Sequence, residues 1–196
     1  MEKIKKLLIL VFIFQIGFSC APKRRDIEML EKGKVYFLND NFTEALPYFS
    51  KSISYNTRND EAHAYRGYCQ FMLDNYAEAM IDFSTALNHN PNNGVALFGH
   101  ACIKWNIEDH IQAFQEFDKL LHINPEHNKA YYYRGRALLH FGDTLNGLKD
   151  LNTALEKDSS FIDTYYLIAS VKTRQNQFIE ADEILEKALK FEKQSK

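Results

Sequence analysis

The 196-residue chain carries none of the short motifs that announce common enzyme chemistry. It has no P-loop to cradle phosphates, no dinucleotide fingerprint, no His-Glu-x-x-His pair and no Gly-x-Ser-x-Gly elbow. Its seven histidines are scattered. His122 and His127 flank a turn reading His-Ile-Asn-Pro-Glu-His, but that spacing lacks the second cluster and the cysteine partners a zinc site uses. The expectation is therefore a non-enzyme with no catalytic residues, no metal and no cofactor. A large charge of one sign is also missing. Lysine and arginine number 24 against 26 acidic residues, so the net charge is −2 and offers no footprint for nucleic acid. Cysteine is scarce: of three, only Cys69 and Cys102 lie in the body of the chain, where two half-buried thiols at packing positions are expected rather than a disulfide. No alternating strand pattern competes anywhere, and no apolar run reaches the roughly 20 residues that a spanning helix needs.

What is present is a period. Starting units at Asp26, Asp60, Gly94, Asn128 and Ile162, the same pattern returns five times every 34 residues without insertion or deletion. The eighth positions read Gly33, Gly67, Ala101, Gly135 and Ala169, and the twentieth Ala45, Ala79, Ala113, Gly147 and Ala181. Position 24 is always large and apolar: Phe49, Phe83, Phe117, Leu151 and Leu185. A fixed period of this length means a solenoid of helix–turn–helix units, none of which buries its apolar face alone. The pattern resembles the tetratricopeptide repeat family over residues 26–195. The resemblance implies an all-α, right-handed α-solenoid with units 26–59, 60–93, 94–127, 128–161 and 162–195. At position 27, small in Ser52, Ala86, Ala154 and Ala188, the third unit has Leu120, which suggests that its helices splay.

Each unit is expected to hold a helix A over positions 2–14 and a helix B over about 17–29, separated by breaker-rich turns such as Asp74-Asn75 and Gly142-Asp143. A charge pattern runs through the middle three units. Position 7 is Arg66, His100 and Arg134, and position 23 is Asp82, Glu116 and Asp150, whereas the outer units carry neither pair. Charges that appear and vanish together predict Arg66–Asp82, His100–Glu116 and Arg134–Asp150 pairs inside the scaffold.

The first residues read as an address. Lys3, Lys5 and Lys6 precede an apolar run from Leu7 to Phe14 that ends near Phe18, about the length of a secretory signal core. Gly17-Phe18-Ser19-Cys20 then resembles the lipobox of bacterial lipoproteins, although Leu is usual where Gly17 stands and Phe18 is bulky. That resemblance implies a signal peptide over 1–19, acylation of Cys20, a short linker over 20–25 and a place in the bacterial cell envelope, at the outer membrane facing the periplasm. An uncleaved anchor in the inner membrane is the alternative, since Lys23, Arg24 and Arg25 make both flanks basic.

In the resembling family, positions 2, 5, 6, 9, 12 and 13 of helix A line a concave groove. Carried over, they name Tyr65, Tyr68, Phe71, Phe98, Trp105, Tyr132, Arg136 and Tyr166 as partner-binding candidates, with a contact role expected for Trp105. Positions 5, 6 and 12 also pack between neighbouring A helices, so these rings stand between groove and core. The family's clamp for C-terminal carboxylates would fall on Leu30, Lys34, Tyr65, Val95 and Gly99, which do not supply it. The function implied is a protein–protein adaptor taking an extended peptide or a helix of a partner, held to a membrane by its lipid and without affinity for nucleic acid. A glycan- or peptidoglycan-binding lipoprotein is the alternative. Aromatic troughs also stack on sugars, but Asn106 is the one amide among the groove positions.

Overall fold

A computed structural model describes residues 24–194. The expectations for residues 1–20, Cys20 among them, lie outside the described residues. Five helix pairs follow one another: α1 (Arg25–Phe37) with α2 (Phe42–Tyr55), α3 (Asp60–Met72) with α4 (Tyr76–His89), α5 (Gly94–Asn106) with α6 (His110–Ile123), α7 (Asn128–His140) with α8 (Thr144–Lys157), and α9 (Ile162–Arg174) with α10 (Phe178–Gln194). Among the described residues there is no strand, and no helix is long and apolar enough to cross a membrane. The chain is an α-solenoid.

The turn inside each unit is set by one residue. Asp40, Asp74, Glu108, Gly142 and Asn176 all occupy position 15 and all have φ between 56° and 86°. The left-handed residue lets the next N–H fold back onto the carbonyl five residues earlier, as in Asn75 to Gln70 at 2.9 Å and Asp109 to Lys104 at 2.9 Å, which ends helix A with its carbonyls satisfied. Asp, Asn and Gly suit that conformation, whereas a glutamate holds it at a cost of about 1 kcal/mol. Glu108→Gly should therefore stabilise the protein by about 0.5–1 kcal/mol, read as a shift of the urea midpoint. Gly142→Ala, at the same turn position, should move the midpoint the other way.

Helix starts are capped with similar economy. Asn59, Asn93 and His127 accept the N–H of Ala62, Ala96 and Ala130 at 3.0–3.1 Å, and Asp109 and Asp143 cap two of the B helices.

The core is a row of position-24 side chains. Phe49, Phe83, Phe117 and Leu151 are fully buried; Phe49, Phe83 and Leu151 lie directly against the glycine at position 8 of their own units, and Phe117 shares a buried cluster with Ala101. The three phenylalanines also cross to position 6 of the next unit. Phe49 stacks on Tyr65 with centroids 5.6 Å apart, and Phe117 on Tyr133 at 5.3 Å. Phe83 instead meets bare backbone, since a Cβ on Gly99 would sit 2.1 Å from the tip of its ring.

The predicted charge pairs all form. Asp82 accepts Arg66 Nε and Nη2 at 2.7 and 2.8 Å, Asp150 accepts the same atoms of Arg134 at 2.7 and 3.0 Å, and His100 Nδ1 lies 2.8 Å from Glu116. Two features were not expected from the pattern. Each position-7 side chain also reaches back to position 25 of the preceding unit: Arg66 to Ser50 at 3.3 Å, His100 to Ser84 at 3.5 Å and Arg134 to Asp118 at 2.7 Å. His63 joins Asp82 as well, at 3.0 Å, so that carboxylate receives three bonds while almost fully buried.

Leu120 is buried, and room for it comes from position 1 of its own unit. A Cβ on Gly94 would already stand 3.3 Å from Leu120 Cδ1, where other units carry Asp, Asn or Ile. The large residue and the missing side chain compensate each other.

Candidate functional site

An open groove of about 630 Å³ runs along the inner helices of the second, third and fourth units. Its floor is apolar: Tyr65 and Tyr68 from α3, Val95 and Phe98 from α5, with Phe37 at one end and Leu120 beneath. Tyr65 and Tyr68 are held edge-on by Phe37, at centroid distances of 5.0 and 5.3 Å, so these rings are fixed before any partner arrives. Burial pushes the Tyr68 hydroxyl above its ordinary pKa, and it stays protonated.

The rim is polar and comes from the junctions between units. Asn90, Asn92 and Asn93 border one side, and Asn124, His127, Asn128 and Lys129 the other. Sequence reasoning missed these amides because it took groove residues only from helix A and read the junctions as turns. The sequence signal was there, since the two central junctions spell Asn-Pro-Asn-Asn and Asn-Pro-Glu-His-Asn.

Of the eight candidate residues, Tyr65, Tyr68 and Phe98 line this groove. The expected contact role of Trp105 meets a different arrangement. It is 8% exposed, closed in by Arg136 over its face at 5.0 Å and by His110 at 4.3 Å. Position 12 points between consecutive inner helices, so the next helix covers it. Phe98 is also packed, at 6% exposure, and shows only its edge to the groove. Phe71 rests on Tyr76 at 5.7 Å, and Tyr132 on Phe161 at 4.8 Å, each away from the groove. Arg136 is exposed, and Tyr166, 43% exposed, donates to Glu192 at 2.9 Å.

Cys69 and Cys102 are free and more deeply buried than the half-buried thiols expected, and desolvation pushes both thiols up to about 12, so neither is a thiolate at neutral pH. Among the described residues no group of three or more His, Cys, Asp or Glu is placed to hold a metal ion.

His127, on the groove rim, has a structural task. Its Nδ1 accepts the N–H of Ala130 at 3.1 Å, which requires the neutral ring. Burial pulls its pKa below the ordinary histidine value, so the folded protein binds fewer protons than the unfolded chain just below about pH 6.5. The stability it contributes is complete above that pH and is lost as the pH falls through it toward the lower folded value. His127→Asn, with the residue found at the first two junctions, keeps the cap and removes the titration. The fall in Tm from pH 7.5 to 5.5 should be smaller in this variant than in the parent chain.

Family models described as tetratricopeptide repeat match residues 60–93, 98–160 and 162–195, together more than half of the chain. The chain is a tetratricopeptide repeat protein. A comparison with curated protein sequences gives no match. Among solved structures, this tetratricopeptide repeat chain is similar to MamA from Desulfovibrio magneticus RS-1, at 18% identity and a TM-score of 0.70 over 89% of this chain and 98% of that one. It is also similar to YrrB, described as a tetratricopeptide repeat protein with an unusual peptide-binding site, at 18% identity and a TM-score of 0.66 over 89% and 91% of the chains. The Pseudomonas aeruginosa PilF structure gives 13% identity and a TM-score of 0.73 over 85% and 76%. At these identities the likeness is one of fold.

Proposed function

We propose that this tetratricopeptide repeat protein is a non-enzymatic scaffold that receives an extended peptide or a helix of another protein in its inner groove. The observation that carries the reading is the groove itself: a pre-positioned aromatic floor between two hydrogen-bonding rims, open along the solenoid. The peptide-binding site described for YrrB supports it by analogy of fold. A photo-crosslinking residue placed at Lys129, on the rim, should yield partner adducts from native extracts. The same residue at Lys149, exposed on the outer helix α8, should yield none. Equal labelling from both positions would remove the groove from the account.

The scaffold is proposed to be a lipoprotein of the bacterial envelope, anchored through Cys20 after removal of residues 1–19, with outer-membrane residence facing the periplasm and no nucleic-acid partner. The basic, apolar and lipobox-like run at the N-terminus supports this placement. Mass spectrometry of the mature N-terminus tests it: a diacylated Cys20 is expected, and an intact Met1 would shift the reading to the inner-membrane anchor. A glycan ligand gains some support from the junction asparagines. However, Asn90, Asn93 and Asn128 already spend their amides on Asp60 and Asp158, which leaves few donors for sugar hydroxyls. Titration with peptidoglycan fragments separates the two readings, the peptide scaffold giving no heat.

A further inference from the structure

Position 1 and position 31 close the unit boundary in the same way in three places. Asn56 donates to Asp26 at 3.1 Å, Asn90 to Asp60 at 2.8 Å, and Asn128 to Asp158 at 3.0 Å. In the last pair the amide and the carboxylate have exchanged positions and the bond survives, so each boundary uses one amide and one carboxylate. The third unit has only half of this rung. Position 31 is Asn124, but position 1 is Gly94, which has nothing to offer it. Asn124 is nevertheless held in place, because its Oδ1 accepts the N–H of Glu126 at 3.1 Å, just as Asn56, Asn90 and Asp158 accept theirs two residues on. Asn124 is exposed, its Nδ2 makes no hydrogen bond among the described residues, and Gly94 and Asn124 both line the groove.

We propose that this open rung is a carboxylate subsite: the partner peptide supplies the carboxylate that Asp60 supplies in the second unit. The proposal rests on the groove reading and sharpens it by naming the partner as a carboxylate-bearing segment. Charge complementarity favours that occupant. The groove's own acids are already engaged, Asp60 by Asn90 and Asn93, and Glu61 by Lys34 at 2.6 Å. Among the described residues, the exposed donors Asn124 Nδ2, Asn92 Nδ2 and the Lys129 ammonium have no side-chain partner, and Lys129 forms no ion pair. A charged acceptor satisfies an amide and an ammonium together, and such charge-assisted bonds are the stronger kind. These residues are not those of the family's clamp for C-terminal carboxylates, so the carboxylate can come from an Asp or Glu side chain or from a chain end.

The full-length chain, screened against an array of random-sequence twelve-residue peptides, should select binders that need a carboxylate. Replacing that acid with its amide, or amidating the C-terminus where the terminus is the ligand, should weaken binding tenfold or more in fluorescence anisotropy. Asn124→Asp should impose the same loss, since it turns the donor into a like charge. It should fold normally, because Asp158 holds the equivalent place and makes the equivalent turn. Gly94→Asp combined with Leu120→Ala rebuilds the second unit's rung and should also close the subsite. Binders indifferent to the acid and to both variants would overturn the subsite and leave the groove reading intact. No binders, or binders that crosslink only to the outer helices, would overturn the groove reading and the subsite with it.

Discussion

Replacing Asp82 with alanine should lower the unfolding free energy by about 3–5 kcal/mol, the range seen when one member of a buried charge network is removed. The carboxylate is almost fully buried and takes bonds from Arg66 Nε, Arg66 Nη2 and His63 Nδ1 at 2.7, 2.8 and 3.0 Å. Without it, the Arg66 and His63 side chains, 25% and 10% exposed, lose their shared acceptor where little water reaches. Glu116→Ala removes a carboxylate paired with one histidine in a wetter site and should cost about 1 kcal/mol. Acid titration gives a second check. Burial pushes the Asp82 carboxyl upward, but the hydrogen bonds and charges of Arg66 and His63 outweigh it and hold the group below the ordinary carboxylate value. A depressed acid contributes its full stability above the unfolded value near pH 4, and that contribution disappears as the pH falls through the lower folded value. The gap between parent and variant in urea melts should therefore shrink below about pH 4. A gap that does not shrink in acid would mean that the loss is one of packing.

Gly99→Ala should be the most damaging alanine substitution among the described glycines, costing about 1–3 kcal/mol, the usual range for overpacking. The added Cβ would stand 2.1, 2.5 and 2.7 Å from three atoms of the Phe83 ring. Phe83 has little room to retreat, since its other edge lies 3.0 Å from where a Cβ on Gly67 would be. Phe83→Ala by itself should cost about 3–5 kcal/mol through the cavity it leaves. Phe83→Leu, the residue that Leu151 provides in the fourth unit, should restore much of the loss in the Gly99→Ala background. A double-mutant cycle by thermal melting measures that coupling, and simple additivity would mean that the two residues do not share the space.

The fold was legible because the period repeats the same signal. An error in placing one helix would have had to recur five times, and small residues at positions 8 and 20 show where backbones meet. The charge pairs were legible for the same reason: Arg66 with Asp82 and Arg134 with Asp150 rise and fall together across units. Features confined to one unit were hidden. His63 joins Asp82 from position 4, where the other units have Met29, Leu97, Tyr131 and Tyr165, so no repetition pointed to it. Trp105 looked like a contact residue because a ring on an inner helix faces either the groove or the next helix, and only the placement of Arg136 and His110 decides between them. The Leu120–Gly94 exchange was readable, both residues being anomalous in one unit. It called for comparing positions 27 and 1, which lie far apart in the pattern.

The backward reach of the position-7 side chains has a mechanical consequence. Arg66, His100 and Arg134 tie each of the first three boundaries between units to the outer helix before it. At the fourth boundary position 7 is Ile168, and among the described residues no side-chain hydrogen bond or ion pair joins α8 to α9. In a one-dimensional array each unit leans only on its neighbours, so the terminal unit with the fewest rivets opens first. Pulled from its C-terminus, the chain should shed α9 and α10 as a separate step at low force while the riveted segment holds. Amide hydrogens there should exchange ahead of those in α3 to α8. The protein would then behave as a stiff rod with one compliant end, able to flex against a neighbour without disturbing the groove.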